Sequence, residues 1–181
     1  RHSSGQVSCW GRNNNGQLGR GHTDTSTTIE LVSGLTNVTQ LTASNQHVCA
    51  LDQSNAIYCW GRNDTGSIAQ GAPARALTPY LVPITFPAPV EVRAGGRHTC
   101  ARTAPGDIYC WGRSDLGQTG HAQTGFARVP GITDASSLSA SANGTCAATV
   151  SGRAFCWGDS LSSEAGDGYS GIFALPTQVL Y

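Results

Sequence analysis

The sequence predicts an all-β propeller of four-stranded antiparallel blades, with about four repeats in its 181 residues. Three observations lead there. The tripeptide Cys-Trp-Gly recurs around Trp10, Trp60, Trp111 and Trp157, spaced 50, 51 and 46 residues apart, a period that marks repeat architectures built from one blade per repeat. In three of the four copies a second cysteine stands ten residues upstream, at Cys49, Cys100 and Cys146. No span of ten or more residues carries a helical apolar period, and 23 Gly, 8 Pro and a charged fraction of only 12% suit a turn-rich β chain.

The cysteine-bearing stretch comes first because its register can be checked within the sequence. Setting Cys49 opposite Cys59 leaves Gln53, Ser54 and Asn55 as a three-residue hairpin loop, a class that wants a left-handed residue last. Asn tolerates that conformation best after glycine, and the equivalent places hold Gly5, Gly106 and Gly152. Opposed residues of a non-hydrogen-bonded pair lie about 4.5 Å apart at Cα, within reach of a disulfide. The expected cystines are therefore Cys49–Cys59, Cys100–Cys110 and Cys146–Cys156. A zinc site would call for closer cysteine spacings than C-x9-C. By the same register the partner of Cys9 falls two residues before Arg1, so Cys9 is expected unpaired within this chain.

After each Trp-Gly comes a polar turn, then Gly16-Gln-Leu-Gly19, Gly66-Ser-Ile-Ala69, Gly117-Gln-Thr-Gly120 and a drifted Ser163-Glu-Ala-Gly166. A variable loop follows, then an extended piece ending at Val32, Val82, Val129 and Val179, with Pro79 and Pro176 placed as an edge strand permits. Seventeen or eighteen residues later the next hairpin begins, reached through alternating segments such as Val38-Thr-Gln-Leu-Thr-Ala43 and Val90-Glu-Val-Arg-Ala94. Each repeat thus supplies four short strands, with repeat cores at 1–32, 33–82, 83–129 and 130–181.

Formal net charge is zero, which leaves no electrostatic footprint for nucleic acid. No apolar run approaches the ~18 residues of a transmembrane helix, so membrane insertion is not expected. Cystines closing short hairpins belong to oxidising compartments, which places the protein outside the cell, in a periplasm or at a cell surface. No nucleophile elbow, HExxH or phosphate loop is present. The expectation is a protein that is not an enzyme and needs no cofactor and no metal.

His47-Val-Cys-Ala-Leu51, His98-Thr-Cys-Ala-Arg102, the Cys-Trp-Gly tripeptides and Gly16-Gln-Leu-Gly19 resemble the regulator-of-chromosome-condensation repeat family over the whole chain, although Gly144-Thr-Cys-Ala-Ala148 departs from its first element. The paired cysteines look like its secreted bacterial branch. The resemblance implies a propeller commonly of seven blades, of which these repeats would be part, that binds macromolecules through loops on its faces.

Trp10, Trp60, Trp111 and Trp157 are expected to pack between blades, because a large side chain repeated at one blade position suits inter-sheet packing better than a ligand surface. His47 and His98 are expected as hydrogen-bonding fixtures, and Arg12, Arg62 and Arg113 as salt-bridged surface residues. Binding residues concentrate on irregular loops carried by a rigid frame. Candidates are therefore Gly71, Ala72, Arg75 and Thr78 in one loop, Gly120, His121, Gln123 and Phe126 in the next, and Asp167, Tyr169 and Phe173 in the last. The function expected is an extracellular module that binds a protein or glycan. Alternatives are a self-associating surface or fibre subunit, motivated by Cys9, and a regulator of an enzyme or GTPase by family analogy.

Overall fold

A computed structural model describes residues 1–123, 125–160 and 170–179. Among them there is no helix, and fourteen strands form one two-stranded and three four-stranded antiparallel sheets. The first sheet pairs β1 (Ser8–Gly11) with β2 (Ser26–Leu31). The second runs in order through β3 (Val38–Ala43), β4 (His47–Asp52), β5 (Ile57–Arg62) and β6 (Arg75–Leu81). The third holds β7 (Pro89–Ala94), β8 (His98–Thr103), β9 (Ile108–Gly112) and the two-residue β10 (Ala127–Arg128). The fourth comprises β11 (Ala135–Ala140), β12 (Gly144–Thr149), β13 (Ala154–Ser160) and β14 (Gly171–Gln178).

Each four-stranded sheet is a meander, so its connections alternate between two faces of the molecule. The first-to-second turns at 44–46, 95–97 and 141–143 share one face with the long third-to-fourth loops. It is the loop face. The hairpin turns at 53–55, 104–106 and 150–152 lie on the opposite face. Strands β3, β7 and β11, the first of each sheet, contact one another in succession and form the inner side of the array. Their free edges are covered by side chains of the preceding blade. Gln40 Oε1 accepts from the Val92 amide at 2.7 Å, Thr42 Oγ1 from the Ala94 amide at 3.1 Å, and Glu91 Oε1 from the Leu138 amide at 3.3 Å. Exposed strand edges recruit other chains, and these caps satisfy donors that the sheets leave unpaired.

The hairpin register is the one the spacing predicts. Cys49 pairs with Cys59, Cys100 with Cys110 and Cys146 with Cys156 across the ladder, each as a disulfide with Cα atoms 4.1 Å apart. Asn55 closes its turn at φ 64°, and Gly106 and Gly152 do so at 101° and 80°. Asp52 adds a side-chain clasp, its Oδ1 accepting from the Ser54 and Ala56 amides. Cys9 is free and half-buried, and burial raises its thiol pKa, opposed by the nearby Arg20.

The blades pack through their tryptophans. Trp60, Trp111 and Trp157 are at most 2% exposed, and each donates Nε1–H to a carbonyl of the preceding repeat: Gln17 at 2.8 Å, Ile68 at 3.0 Å and Gln118 at 3.1 Å. The accepting carbonyls lie in the turns Gly16–Gly19, Gly66–Ala69 and Gly117–Gly120. Gly120 is needed there, because a Cβ on it would stand 2.9 Å from Trp157 Nε1. Trp10 does not follow the expectation of blade packing: it is 58% exposed. Its repeat equivalents find their carbonyl 39 to 43 residues earlier.

Candidate functional site

Histidines at the ends of the second strands build buried relays between blades. The Thr99 hydroxyl donates to the Ser67 carbonyl at 2.7 Å and lies 2.8 Å from His47 Nε2. Since that hydroxyl hydrogen is used on the carbonyl, Nε2 carries the proton and Thr99 accepts from it. The next interface repeats the arrangement, with His98 Nε2 2.8 Å from Thr145 Oγ1, which donates to the Gln118 carbonyl at 2.9 Å. Both imidazoles are fully buried, and desolvation lowers their pKa values to about 4 for His47 and about 3 for His98, the second also through His47. They are neutral fixtures, as their recurrence in register implies. Among the described residues no group of three His, Cys, Asp or Glu side chains could hold a metal ion.

The loops of the loop face are organised from below by Asn13 and Asn63. Asn63 is 6% exposed, accepts from the Ile68 and Ala69 amides, and donates to the Ala69 and Ala72 carbonyls. Asn13 plays the same part for Leu18, His22 and Asp24. In the third repeat Ser114 takes that position, and His121 instead reaches the Cys110 carbonyl at 2.9 Å from a buried site.

Several predicted loop residues sit elsewhere. Arg75 and Thr78 belong to strand β6, where both are exposed, because pairing with β5 begins as early as Arg62↔Arg75. Gly120 and His121 are buried in the turn beneath Trp157 and the third sheet. Phe126 is half-buried in an aromatic cluster, with its ring edge-on to Trp111 at 5.0 Å and to Phe86 at 5.9 Å; Phe86 in turn stacks on Tyr109 at 4.5 Å. Phe173 is half-buried in β14 opposite Gly158. Gly71 and Gln123 are exposed on the loop face, and Ala72 is partly buried against the core. Asp167 and Tyr169 lie outside the described residues.

The bulge that ends each third strand has a consequence for charge. Gly11, Gly61, Gly112 and Gly158 adopt φ of 105°, 107°, 106° and 107°, and a Cβ on Gly61, Gly112 or Gly158 would run into backbone of the neighbouring first-to-second turn. The residue after each glycine therefore leaves every blade the same way, onto the loop face: Arg12, Arg62, Arg113 and Asp159. Arg62 and Arg113 bind the carboxylates two residues on, Asp64 and Asp115, each at 2.5 Å. Arg97, from the next blade, leans onto Asp64 at 3.4 Å. The Arg113 side chain holds the Asp115 carboxyl below its usual range.

A second ionic group is buried nearer the axis. Glu91, with its side chain 8% exposed, binds both Arg93 and Arg102 at 2.7 Å, and Arg93 also donates to the Leu138 carbonyl. It ties the third blade to the fourth. The composition gave no sign of it, because Gln40 and Leu51 hold the matching places one repeat earlier.

The profile described as Regulator of chromosome condensation (RCC1) repeat matches residues 4–51, and a second profile of the same description matches 38–67 and 90–118, together just over half of the chain. The ultraviolet-B receptor UVR8 of Arabidopsis thaliana is 29% identical over 139 residues, covering 75% of this chain and 31% of the receptor. Among solved structures, human WBSCR16 superposes with a TM-score of 0.89 at 18% identity, covering 99% of this chain and 49% of that one. Yeast RCC1 (Prp20) bound to Kap60 superposes with a TM-score of 0.83 at 20% identity, covering 98% and 45%. The chain spans about a third to a half of the length of these proteins.

Proposed function

Since the chain belongs to the regulator of chromosome condensation (RCC1) repeat family of β-propellers, we propose that it is a non-enzymatic protein-binding module whose contact surface is the loop face. One observation carries this reading. The side chains that repeat from blade to blade and are buried, namely the tryptophans, histidines and paired cysteines, are consumed in holding blade to blade. The loops at 63–74 and 113–123, by contrast, differ between repeats and carry exposed residues such as Asp64, Gln70, Gly71, Asp115 and Gln123, beside the arginine row.

A protein partner is favoured over a glycan by the similar structure solved with Kap60 bound. Three cystines suit an oxidising compartment, and no helix among the described residues is long and apolar enough to cross a membrane. The reading therefore places the module outside the cell, in a periplasm or at a cell surface.

The test compares partner capture by three proteins: wild type, a variant with alanine at Pro73, Arg75 and Gln123, and a variant with alanine at Asp107, Asp134 and Arg153 toward the opposite face. A protein held by wild type and the opposite-face variant but lost by the loop-face variant is expected. Equal capture by all three, with unchanged circular dichroism, would refute the assignment of the loop face.

A further inference from the structure

Five arginines lie along the loop face in one contiguous row. Arg12 and Arg62 line the same groove between the first and second blades. Arg75 stands directly across the ladder from Arg62. Arg62 and Arg97 share the Asp64 carboxylate, and the Arg113 amide donates to the Arg97 carbonyl at 2.9 Å. Against these five cations the row holds, among the described residues, Asp64 and Asp115. Of the other described carboxylates of this face, Asp24 stands against His22 and Asp159 lies in the fourth blade beside Asn143.

Two features mark the row as more than solvated surface. Like charges directly opposed across an antiparallel ladder are destabilising, yet Arg62 faces Arg75, a local conflict of the kind that collects at functional sites. At the first blade the carboxylate is missing: Asn14 stands where Asp64 and Asp115 stand in the next two, so Arg12 is exposed with no ion-pair partner among the described residues. A chain of zero net charge has thus gathered an excess of three positive charges in this row.

We infer that this row is the recognition surface for an acidic, extended segment of a protein partner, laid across the first three blades with its carboxylates on Arg12, Arg62, Arg75 and Arg113. The inference rests on the protein-binding reading above and names the chemistry of its partner. Guanidinium groups suit it because their forked donors bind carboxylates in pairs. The internal pairs with Asp64 and Asp115 are partly exposed, so they exchange readily for an incoming carboxylate. At the fourth blade Asp159 replaces the arginine and repels such a segment, which limits the footprint to three blades.

The probe is a fluorescein-labelled decapeptide of Asp and Glu, with its Asn/Gln counterpart as control, titrated by anisotropy into the whole protein at 20 and 200 mM salt. Wild type is expected to bind the acidic peptide at least tenfold more tightly than the neutral one, with a steep loss at high salt. The variant Arg12→Gln/Arg62→Gln/Arg113→Gln should lose at least tenfold in affinity and most of the salt dependence. The control pair Arg128→Gln/Arg153→Gln, outside the row, should stay within twofold. Equal binding of the two peptides by wild type, or an equal loss in the control pair, overturns the inference. If the triple variant still captures a protein partner that the loop-face alanine variant loses, the acidic chemistry is wrong and the protein-binding reading stands. If capture fails in neither, the reading itself falls.

Discussion

Replacing Thr99 by valine removes one hydroxyl and almost no volume, so it isolates the relay that links the second and third blades. In the wild type Thr99 Oγ1 accepts Nε2–H of His47 and donates to the Ser67 carbonyl, and both Thr99 and His47 are 0% exposed. Without it, His47 has one ring nitrogen with no partner whichever tautomer it adopts, because Ser44 Oγ serves only Nδ1. An orphaned buried group costs ~1–3 kcal/mol and the lost bond to Ser67 adds ~1 kcal/mol. Shape is kept, so no cavity contributes. The expected loss is ~2–4 kcal/mol, a fall in Tm on the order of 10 °C for a chain of this size. Urea and thermal unfolding followed by tryptophan fluorescence would measure it, since three of the four tryptophans sit at these interfaces. His47→Leu/Thr99→Val should be no less stable than Thr99→Val alone, because removing both partners leaves nothing orphaned on the ring. A loss below ~0.5 kcal/mol for Thr99→Val, or losses that simply add in the double variant, would refute the relay.

Four further outcomes follow from the same contacts. His47 and His98 have folded pKa values lowered to about 4 and about 3 from an ordinary 6.5. Their contribution to stability is therefore complete above pH 6.5 and is lost as pH falls toward those values, by ~2 kcal/mol each at pH 5; urea midpoints should fall between pH 7.5 and 5, and less so in His98→Gln. Trp60→Phe deletes the bond to Gln17 and leaves a void, for a loss of ~2–3 kcal/mol, whereas Trp10→Phe should change the unfolding midpoint by less than ~0.5 kcal/mol because Trp10 is exposed. Cys100→Ala/Cys110→Ala opens a cystine spanning a sequence separation of 10 and should cost ~2–3 kcal/mol by the loop-entropy relation, read as a lower Tm that no longer responds to reductant at that hairpin. Gly152→Asn should be nearly neutral, since its φ of 80° resembles that of Asn55 and nothing lies within 4 Å of a Cβ there, while Gly106→Asn should be plainly destabilising because a Cβ would stand 2.7 Å from the Ala135 amide.

Most of the frame was legible because it repeats. Cysteine spacing, the turn residue four places before the second cysteine, and the valine-terminated outer strands are local signals, and each could be checked against its copies. The loops were read less well. Their side chains are placed by contacts with other blades, which spacing does not encode: His121 is drawn inward to the Cys110 carbonyl, and Phe126 is held by Trp111 and Phe86. Arg75 and Thr78 read as loop because they lie in the variable stretch before Pro79, whereas an edge strand tolerates proline within it, and β6 begins at Arg75. Trp10 repeats in sequence but not in environment: it is exposed, whereas Trp60, Trp111 and Trp157 each reach a carbonyl of the preceding repeat. The relay threonines were missed although a signal existed: Thr follows His47 by 52 residues and His98 by 47, one repeat out of step, so it is visible only when neighbouring blades are compared.

On the proposed reading, the repeated residues hold the frame and the loop face meets the partner. Amide hydrogen exchange with and without saturating acidic decapeptide tests it most directly. Slowed exchange is predicted in segments 12–17, 62–72 and 113–118, with no change in the turns at 53–55, 104–106 and 150–152. Protection of those opposite-face turns, or no protection on the loop face at saturation, would contradict the claim.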